Sequence, residues 1–284
     1  MSMLNKVCFI TGATSGIGRE TALALAEQGA ELFIVCRNAQ KGEAVLAEIT
    51  SQNPDCKITL LLGDLGCQAD IHRIAQQFLE TGKPLHLLMN NAGVVNTHRK
   101  LSRDGIEETF AVNHLAYFLM TELLRERLVE SAPARIVSVA SEAHSFVKGL
   151  QFDDLEYEST PYKTFKVYGH SKLCNILWTR RLAKQLQGTG VTVNCVHPGA
   201  VSTGLGHQDH AMIGKIVGLL LKPFFRSPEQ GAKTSIYVAT SPDVENITGE
   251  YFSDSKIKRV KPWAKDDEAA ERLWKISEEY LKLA

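Results

Sequence analysis

Thr11-Gly12-Ala13-Thr14-Ser15-Gly16-Ile17-Gly18 joins an apolar run, Lys6-Val7-Cys8-Phe9-Ile10-Thr11, to a helical pattern that Gly29 stops. Glycines at this junction permit a tight turn and let the backbone approach a pyrophosphate. The helix N-terminus that follows offers free N–H groups and the positive end of a dipole. The spacing is Gly-x-x-x-Gly-x-Gly, distinct from the Gly-x-Gly-x-x-Gly of most dinucleotide folds. Its place after the first strand and before the first helix separates it from an ordinary glycine-rich turn.

Outward from this stretch, short apolar runs alternate with longer helical patterns. Strands are expected at Lys6–Thr11, Glu31–Cys36, Ile58–Leu62, Leu85–Asn90, Arg135–Val139 and Val191–His197, with a short one near Tyr251-Phe252. Helices are expected at Gly16–Gln28, Ala39–Gln52, Ala69–Glu80, Arg103–Glu130, Tyr162–Gln187, Pro228–Thr240 and Asp267–Leu281. Strands that are apolar throughout imply burial on both faces. Alternation with helices then implies right-handed crossovers and an α/β, Rossmann-type, doubly wound parallel sheet with helices on both faces. No repeat, low-complexity tract or linker interrupts the rhythm. One domain over 1–284 is expected, with a nucleotide-binding half at about 1–135 and a catalytic and substrate half at about 136–284. His144 to Pro161 and Thr203 to Ser227 depart from the pattern, and both follow strand carboxyl ends.

The 284 residues suffice for a sizeable core. Lysine plus arginine equals aspartate plus glutamate at 32 each. A balanced chain gives no electrostatic reason to bind nucleic acid and no acidic tail to keep it disordered. None of the six cysteines forms a Cys-x-x-Cys pair, which favours small buried hydrophobes in a reducing compartment over disulfides or a metal site. The first strand begins by Lys6, leaving no room for a signal peptide. No apolar run reaches the roughly 18–20 residues that span a bilayer. The nearest, Ile213 to Phe225, is broken by Gly214, Lys215, Gly218, Lys222 and Pro223. A cytoplasmic protein is expected.

The remaining motifs fall at strand ends. Arg37 follows the second strand, where an acidic residue would bind a ribose 2′-hydroxyl and an arginine accommodates a 2′-phosphate. It argues for NADP(H) over NAD(H). Arg19 reads equally as a second cation for that phosphate or as part of a solvated helix face. Asp64-Leu65 follows the third strand, where the carboxylate either accepts from an adenine amine or belongs to an ordinary loop. Asn91-Ala92-Gly93 follows the fourth, with small residues beside which a cofactor can lie. Asn113 stands mid-helix among apolar residues, a poor helix former whose buried amide must be satisfied. Ser141 ends the fifth strand. His197-Pro198-Gly199 ends the sixth. Tyr168-Gly169-His170-Ser171-Lys172 places a phenol and an ammonium one turn apart on a helix. A free phenol titrates near pH ~10, and a neighbouring cation lowers that value.

Together these residues resemble the short-chain dehydrogenase/reductase family over about Lys6 to Phe252. The resemblance implies Asn113, Ser141, Tyr168 and Lys172 as the catalytic four. Tyr168 would be the general acid, Ser141 would hydrogen-bond the carbonyl oxygen, Lys172 would bind the nicotinamide ribose and lower the Tyr168 pKa, and Asn113 would fix a water in a proton relay. It implies Gly12, Thr14, Ser15, Gly16, Ile17, Gly18, Arg37, Asp64, Leu65, Asn91, Ala92, Gly93, Tyr168, Lys172, Pro198, Gly199, Val201 and Thr203 as cofactor-binding positions. No metal is implied. Many relatives dimerise through the two long helices, so a homodimer is open.

A narrower resemblance runs through Val35-Cys36-Arg37, the long interval from Ser141 to Tyr168, His170-Ser171-Lys172-Leu173, Gly188-Thr189-Gly190-Val191-Thr192-Val193 and Gly249-Glu250-Tyr251-Phe252-Ser253-Asp254. These look like the retinol dehydrogenase-like branch, which acts on retinoids and other apolar aldehydes, ketones or alcohols, mostly with NADP(H). Many of its members begin with a membrane-anchoring helix that this chain lacks. Ile213 to Phe225 reads as a lid over an apolar substrate, as a core or subunit-packing helix, or as a peripheral membrane contact. An epimerase or dehydratase on this fold would need a longer substrate region. A non-catalytic dinucleotide sensor or scaffold typically loses the tyrosine, lysine or serine, all present here.

Overall fold

The computed structural model describes residues 3–199 and 226–283. Eight strands within them form one sheet, ordered β3-β2-β1-β4-β5-β6-β7-β8. These are β1 (Val7–Thr11), β2 (Glu31–Cys36), β3 (Ile58–Leu62), β4 (Leu87–Asn90), β5 (Ala134–Val139), β6 (Val191–His197), β7 (Tyr251–Ser253) and β8 (Lys256–Ile257). All neighbouring pairs from β3 to β7 are parallel, and β8 returns antiparallel to β7. The expected doubly wound sheet is therefore present.

Residue alternation divides the core in two. Phe9 and Phe33 point to one face, with Phe78 of α3 (Gln68–Leu79), Phe118 of α5 (Ala116–Glu130) and Trp178 of α6 (Thr164–Gln185). Cys8, Ile10, Leu32 and Ile34 point to the other. There they meet Leu25 of α1 (Gly16–Glu27), Ile49 of α2 (Ala39–Gln52) and Val238 of α7 (Pro228–Thr240). β1 and β2 are buried on both faces, as their continuous apolar composition requires.

Two elements differ from expectation. The helix expected from Arg103 begins five residues later. Gly105, at φ +79°, turns the chain back so that Glu108 N–H donates to the Lys100 carbonyl at 2.9 Å. The short turn α4 (Glu108–Phe110) then runs through a π-helical stretch, Ala111–Leu115, into α5. The strand β8 escaped sequence reading because its turn, Asp254-Ser255, has both residues left-handed without a glycine.

The last helix, α8 (Asp267–Leu281), lies across α5 and α6. The Trp274 ring is 4.5 Å from Phe118, Glu271 accepts from Arg181 Nε at 2.6 Å, and Ser277 hydrogen-bonds the buried His114 at 2.9 Å. Part of the two long helices is thus covered from within the chain. No helix among the described residues is long and apolar enough to cross a membrane.

Candidate active site

The order of the sheet reverses between β1 and β4, and ligands bind outside the carboxyl ends at such a switch point. Gly12 and Ala92 leave those two strands and touch: a Cβ on Gly12 would stand 2.7 Å from Ala92 Cα. Gly12 also has φ +70° and Gly16 φ +54°, so glycine serves both approach and turn geometry here. Thr11 and Asn91 pin the crossing. The Thr11 hydroxyl accepts from Asn91 N–H at 3.0 Å and Ala92 N–H at 3.1 Å. The Asn91 amide donates to the Thr11 and Gly12 carbonyls at 2.9 and 3.1 Å. Gly18, packed against the Asn91 side chain and the Gly12 carbonyl, has no space for a Cβ.

Beyond this crossing, α1 presents its N-terminus. Ser15 precedes it in extended conformation, its side chain makes no capping bond, and no acid lies in the first turn. Its amides are therefore available to an anion, and Thr14, Ser15, Gly16 and Ile17 stand where a pyrophosphate would be cradled. Arg37 is exposed at the end of β2 and makes no ion pair among the described residues. Arg19 is committed elsewhere: its Nε donates to Glu48 at 2.9 Å, and it also pairs with Glu20. Of its two readings, a second phosphate cation or part of a helix face, these ion pairs support the second. Asp64 follows β3, and one of its oxygens accepts from Gly66 N–H at 2.9 Å, a local turn. Pro198 and Gly199 follow β6, Gly199 at φ +86°. Val201 and Thr203 lie outside the described residues, as does most of the 203–227 segment. The donor set fits a nicotinamide dinucleotide: a glycine cradle, a bare helix N-terminus and a guanidinium that makes no ion pair among the described residues.

The four residues expected to be catalytic converge beside this cradle. Lys172 is buried, and its Nζ donates to the Val139 carbonyl at 2.9 Å, just before Ser141. The same Nζ lies 5.5 Å from the Tyr168 ring centroid and 5.7 Å from that of Tyr117. A Cβ on Gly93 would stand 3.7 Å from Lys172 Nζ and 3.2 Å from Asn113 Oδ1. Asn113 sits in the π-helical stretch, a device common at functional sites. Its buried amide is satisfied: Oδ1 accepts from Val94 N–H at 2.8 Å, and Nδ2 donates to the Val94 carbonyl and the Ser171 hydroxyl, each at 3.0 Å. The Ser171 hydroxyl in turn donates to the Tyr168 carbonyl at 2.8 Å.

Burial sets the protonation of this group. It pushes the Tyr168 phenol up to about 12, with a Ser141 hydrogen bond drawing it back. Burial also holds Lys172 down to about 7. The expected lowering of Tyr168 by Lys172 is therefore not what the protein's own groups produce. Burial disfavours the charged form of this lysine and so weakens what it offers the phenol.

Sequence reading missed several supporting residues. The Tyr117 hydroxyl donates to the Ala92 carbonyl at 2.7 Å. Glu142 N–H donates to His197 Nδ1 at 3.3 Å, and the Glu142 carboxylate accepts from Tyr251 at 3.4 Å, bracing the loop that carries Ser141. Glu107 is a buried carboxylate that caps α4. Only Glu107 carried a signal, since Asp104-Gly105 marks a turn just ahead of it. No group of residues that would hold a metal is present among the described residues.

The sequence profile of the short chain dehydrogenase family matches residues 6–153 and 155–213. The chain belongs to the short-chain dehydrogenase/reductase family. It is 45% identical to mouse retinol dehydrogenase 12 over 97% of its own length and 86% of that protein's. Its identity to human retinol dehydrogenase 11 is 41% over 98% and 86%. This short-chain dehydrogenase is thus retinol dehydrogenase-like, as its motifs led us to expect. A crystal structure of a short chain dehydrogenase from Burkholderia cenocepacia in complex with NADP superposes with a TM-score of 0.71 at 25% identity, covering 89% of this chain and 97% of that one. An uncharacterised Mycobacterium paratuberculosis protein superposes at 0.76 with 26% identity, covering 99% and 95%.

Proposed function

We propose that this oxidoreductase is an NADPH-dependent carbonyl reductase, reversible as an alcohol dehydrogenase, acting on an apolar aldehyde or ketone of the retinal type. The convergence of Tyr168, Ser141, Lys172 and Asn113 beside the β1–β4 crossing carries the reading. Bound NADPH supplies hydride to the carbonyl carbon. Tyr168, neutral at physiological pH, donates its proton to the carbonyl oxygen. Ser141 orients that oxygen by hydrogen bonding. Lys172 lies where a nicotinamide ribose would meet its ammonium, and Asn113 holds the Val94 backbone beside it. Arg37 takes the 2′-phosphate, which supports NADPH over NADH.

Apolar substrate preference is supported by Phe146 and Phe165. Their side chains are 62% and 70% exposed with ring centroids 6.4 Å apart. Phe146 ends the turn that follows Ser141, and Phe165 stands one helical turn before Tyr168. The relatives named retinol dehydrogenase point to the same substrate class. The six unpaired cysteines fit a reducing compartment such as the cytoplasm.

The test is NADPH and NADH oxidation by the purified protein with retinal, medium-chain aldehydes, steroid ketones and small quinones. Turnover restricted to NADPH and one apolar class is expected. Cofactor binding without turnover on any of them would favour a dinucleotide sensor instead.

A further inference from the structure

Glu107 is 0% exposed, and no cation pairs with it among the described residues. Its carboxylate is satisfied by neutral donors alone. Oε1 accepts from Thr109 N–H at 2.9 Å and from the Tyr162 hydroxyl at 3.0 Å, and Oε2 accepts from Phe110 N–H at 2.7 Å. The Thr109 hydroxyl closes the ring with Tyr162 at 3.1 Å. Burial raises the carboxyl's pKa, and these bonds oppose that rise. A serine or threonine would cap a short turn as well as this glutamate does, at lower desolvation cost. The glutamate does something those shorter side chains cannot: it reaches a residue 55 positions away.

Each end of that reach matters. On one side, Glu107 fixes the first turn of the helix that becomes π-helical at Ala111–Leu115. A π stretch holds one extra residue in its turn, so the phase of every later side chain depends on where the turn begins. Asn113 is the residue whose phase matters most, because its amide must meet Val94 and Ser171 together. On the other side, Tyr162 stands two residues ahead of α6, which carries Ser171, Tyr168 and Lys172. The backbone N–H of Glu107 also donates to Glu156 at 3.0 Å, which accepts from Tyr280 of α8 at 2.8 Å. The cap is thereby tied to the inserted segment and to the last helix.

We infer that the Glu107–Tyr162 hydrogen bond is a positioning device that sets the register of the Asn113 helix against the Tyr168 helix. The consequence for catalysis rests on the function proposed above, but the positioning itself does not. Val94 N–H donates to Asn113 Oδ1, so its hydrogen exchange reports the placement of Asn113 without any chemistry.

The experiment compares amide exchange in the full-length wild type, Tyr162→Phe and Glu107→Gln. Faster exchange at Val94, by about 5-fold or more, is expected in both variants. A cap of purely local importance would speed only Thr109 and Phe110, and unchanged protection at Val94 would overturn the inference. Tyr162→Phe leaves the cap's backbone bonds in place, so it carries the test even if Glu107→Gln fails to fold. Turnover of all-trans-retinal with NADPH supplies a second readout. Each variant is expected to lower kcat by about 5-fold or more in the wild-type background and to have no further effect in an Asn113→Ala background. Losses that multiply undiminished in that background would likewise overturn it. If no variant or wild type turns over retinal, the substrate reading fails and the exchange at Val94 alone decides.

Discussion

The ammonium of Lys172 lies 5.5 Å from the centre of the Tyr168 ring, and its hydrogen bond goes to the Val139 carbonyl. Lys172 therefore links three parts of the site: the strand end that leads to Ser141, the helix that bears Tyr168, and the Gly93 backbone beside Asn113. Its side chain is buried almost completely to do so.

That burial has a measurable cost. The Lys172 pKa falls from the ordinary lysine value to about 7 in the folded protein. Between that value and the unfolded one, the unfolded chain holds a proton the native chain lacks. Stability therefore rises with pH through this window, and the penalty is fully present below pH 7. Lys172→Met is expected to stabilise the fold by on the order of 2 kcal/mol at pH 6, after allowing for the lost hydrogen bond. The gain should fade toward pH 10. Thermal unfolding across pH 6–10 checks this, and a pH-independent effect would contradict it.

Tyr168→Phe removes one hydroxyl and leaves the ring against Lys172. Turnover is expected to fall by about 10²–10⁴-fold, with NADPH affinity changed little, because a positioned general acid contributes on that order. Near-wild-type kcat in steady-state assays would remove Tyr168 from the role assigned to it.

Arg37→Asp replaces an unpaired guanidinium with a carboxylate at the end of β2. Loss of a charge-assisted bond and added repulsion should weaken NADPH by roughly 10–100-fold while NADH is unaffected or improved. Fluorescence titration with both cofactors measures it. An unchanged NADPH-to-NADH ratio would place the 2′-phosphate on other residues.

Phe165→Ala and Phe146→Ala remove the exposed ring pair that stands near Ser141 and Tyr168 in sequence, and change none of the four central side chains. For retinal, KM is expected to rise by about 5–20-fold with kcat retained, as loss of buried apolar contact predicts. A short aldehyde such as propanal should show no change. Equal effects on both substrates would mean the rings support structure and do not bind substrate.

The sheet was legible because β1 and β2 carry unbroken apolar runs, Val7–Ile10 and Leu32–Cys36, which imply burial on both faces. The grouping of these residues was legible because Tyr168 and Lys172 are one turn apart, and because Ser141 and Arg37 closely follow strand ends. A turn ahead of Glu107 was legible, but its bond to Tyr162 was not, since two residues 55 positions apart show no local pattern when one bond joins them. The π stretch at Asn113 was hidden for a related reason: it is fixed by contacts to Val94 and Ser171, and helix propensity is blind to both. The burial of Lys172 was not legible, because spacing reveals a neighbouring charge and says nothing of the desolvation that weakens it.

The helix α8 lies over Phe118 and reaches His114, yet residues 267–281 follow every strand in the sequence. During synthesis, every strand of the sheet is made before the residues of this cover. Until Trp274 and Leu273 arrive, the outer faces of α5 and α6 remain open to water and to other nascent chains. A product that stops before Asp267 would therefore expose the apolar flank that Leu273 and Trp274 cover, an adhesive surface.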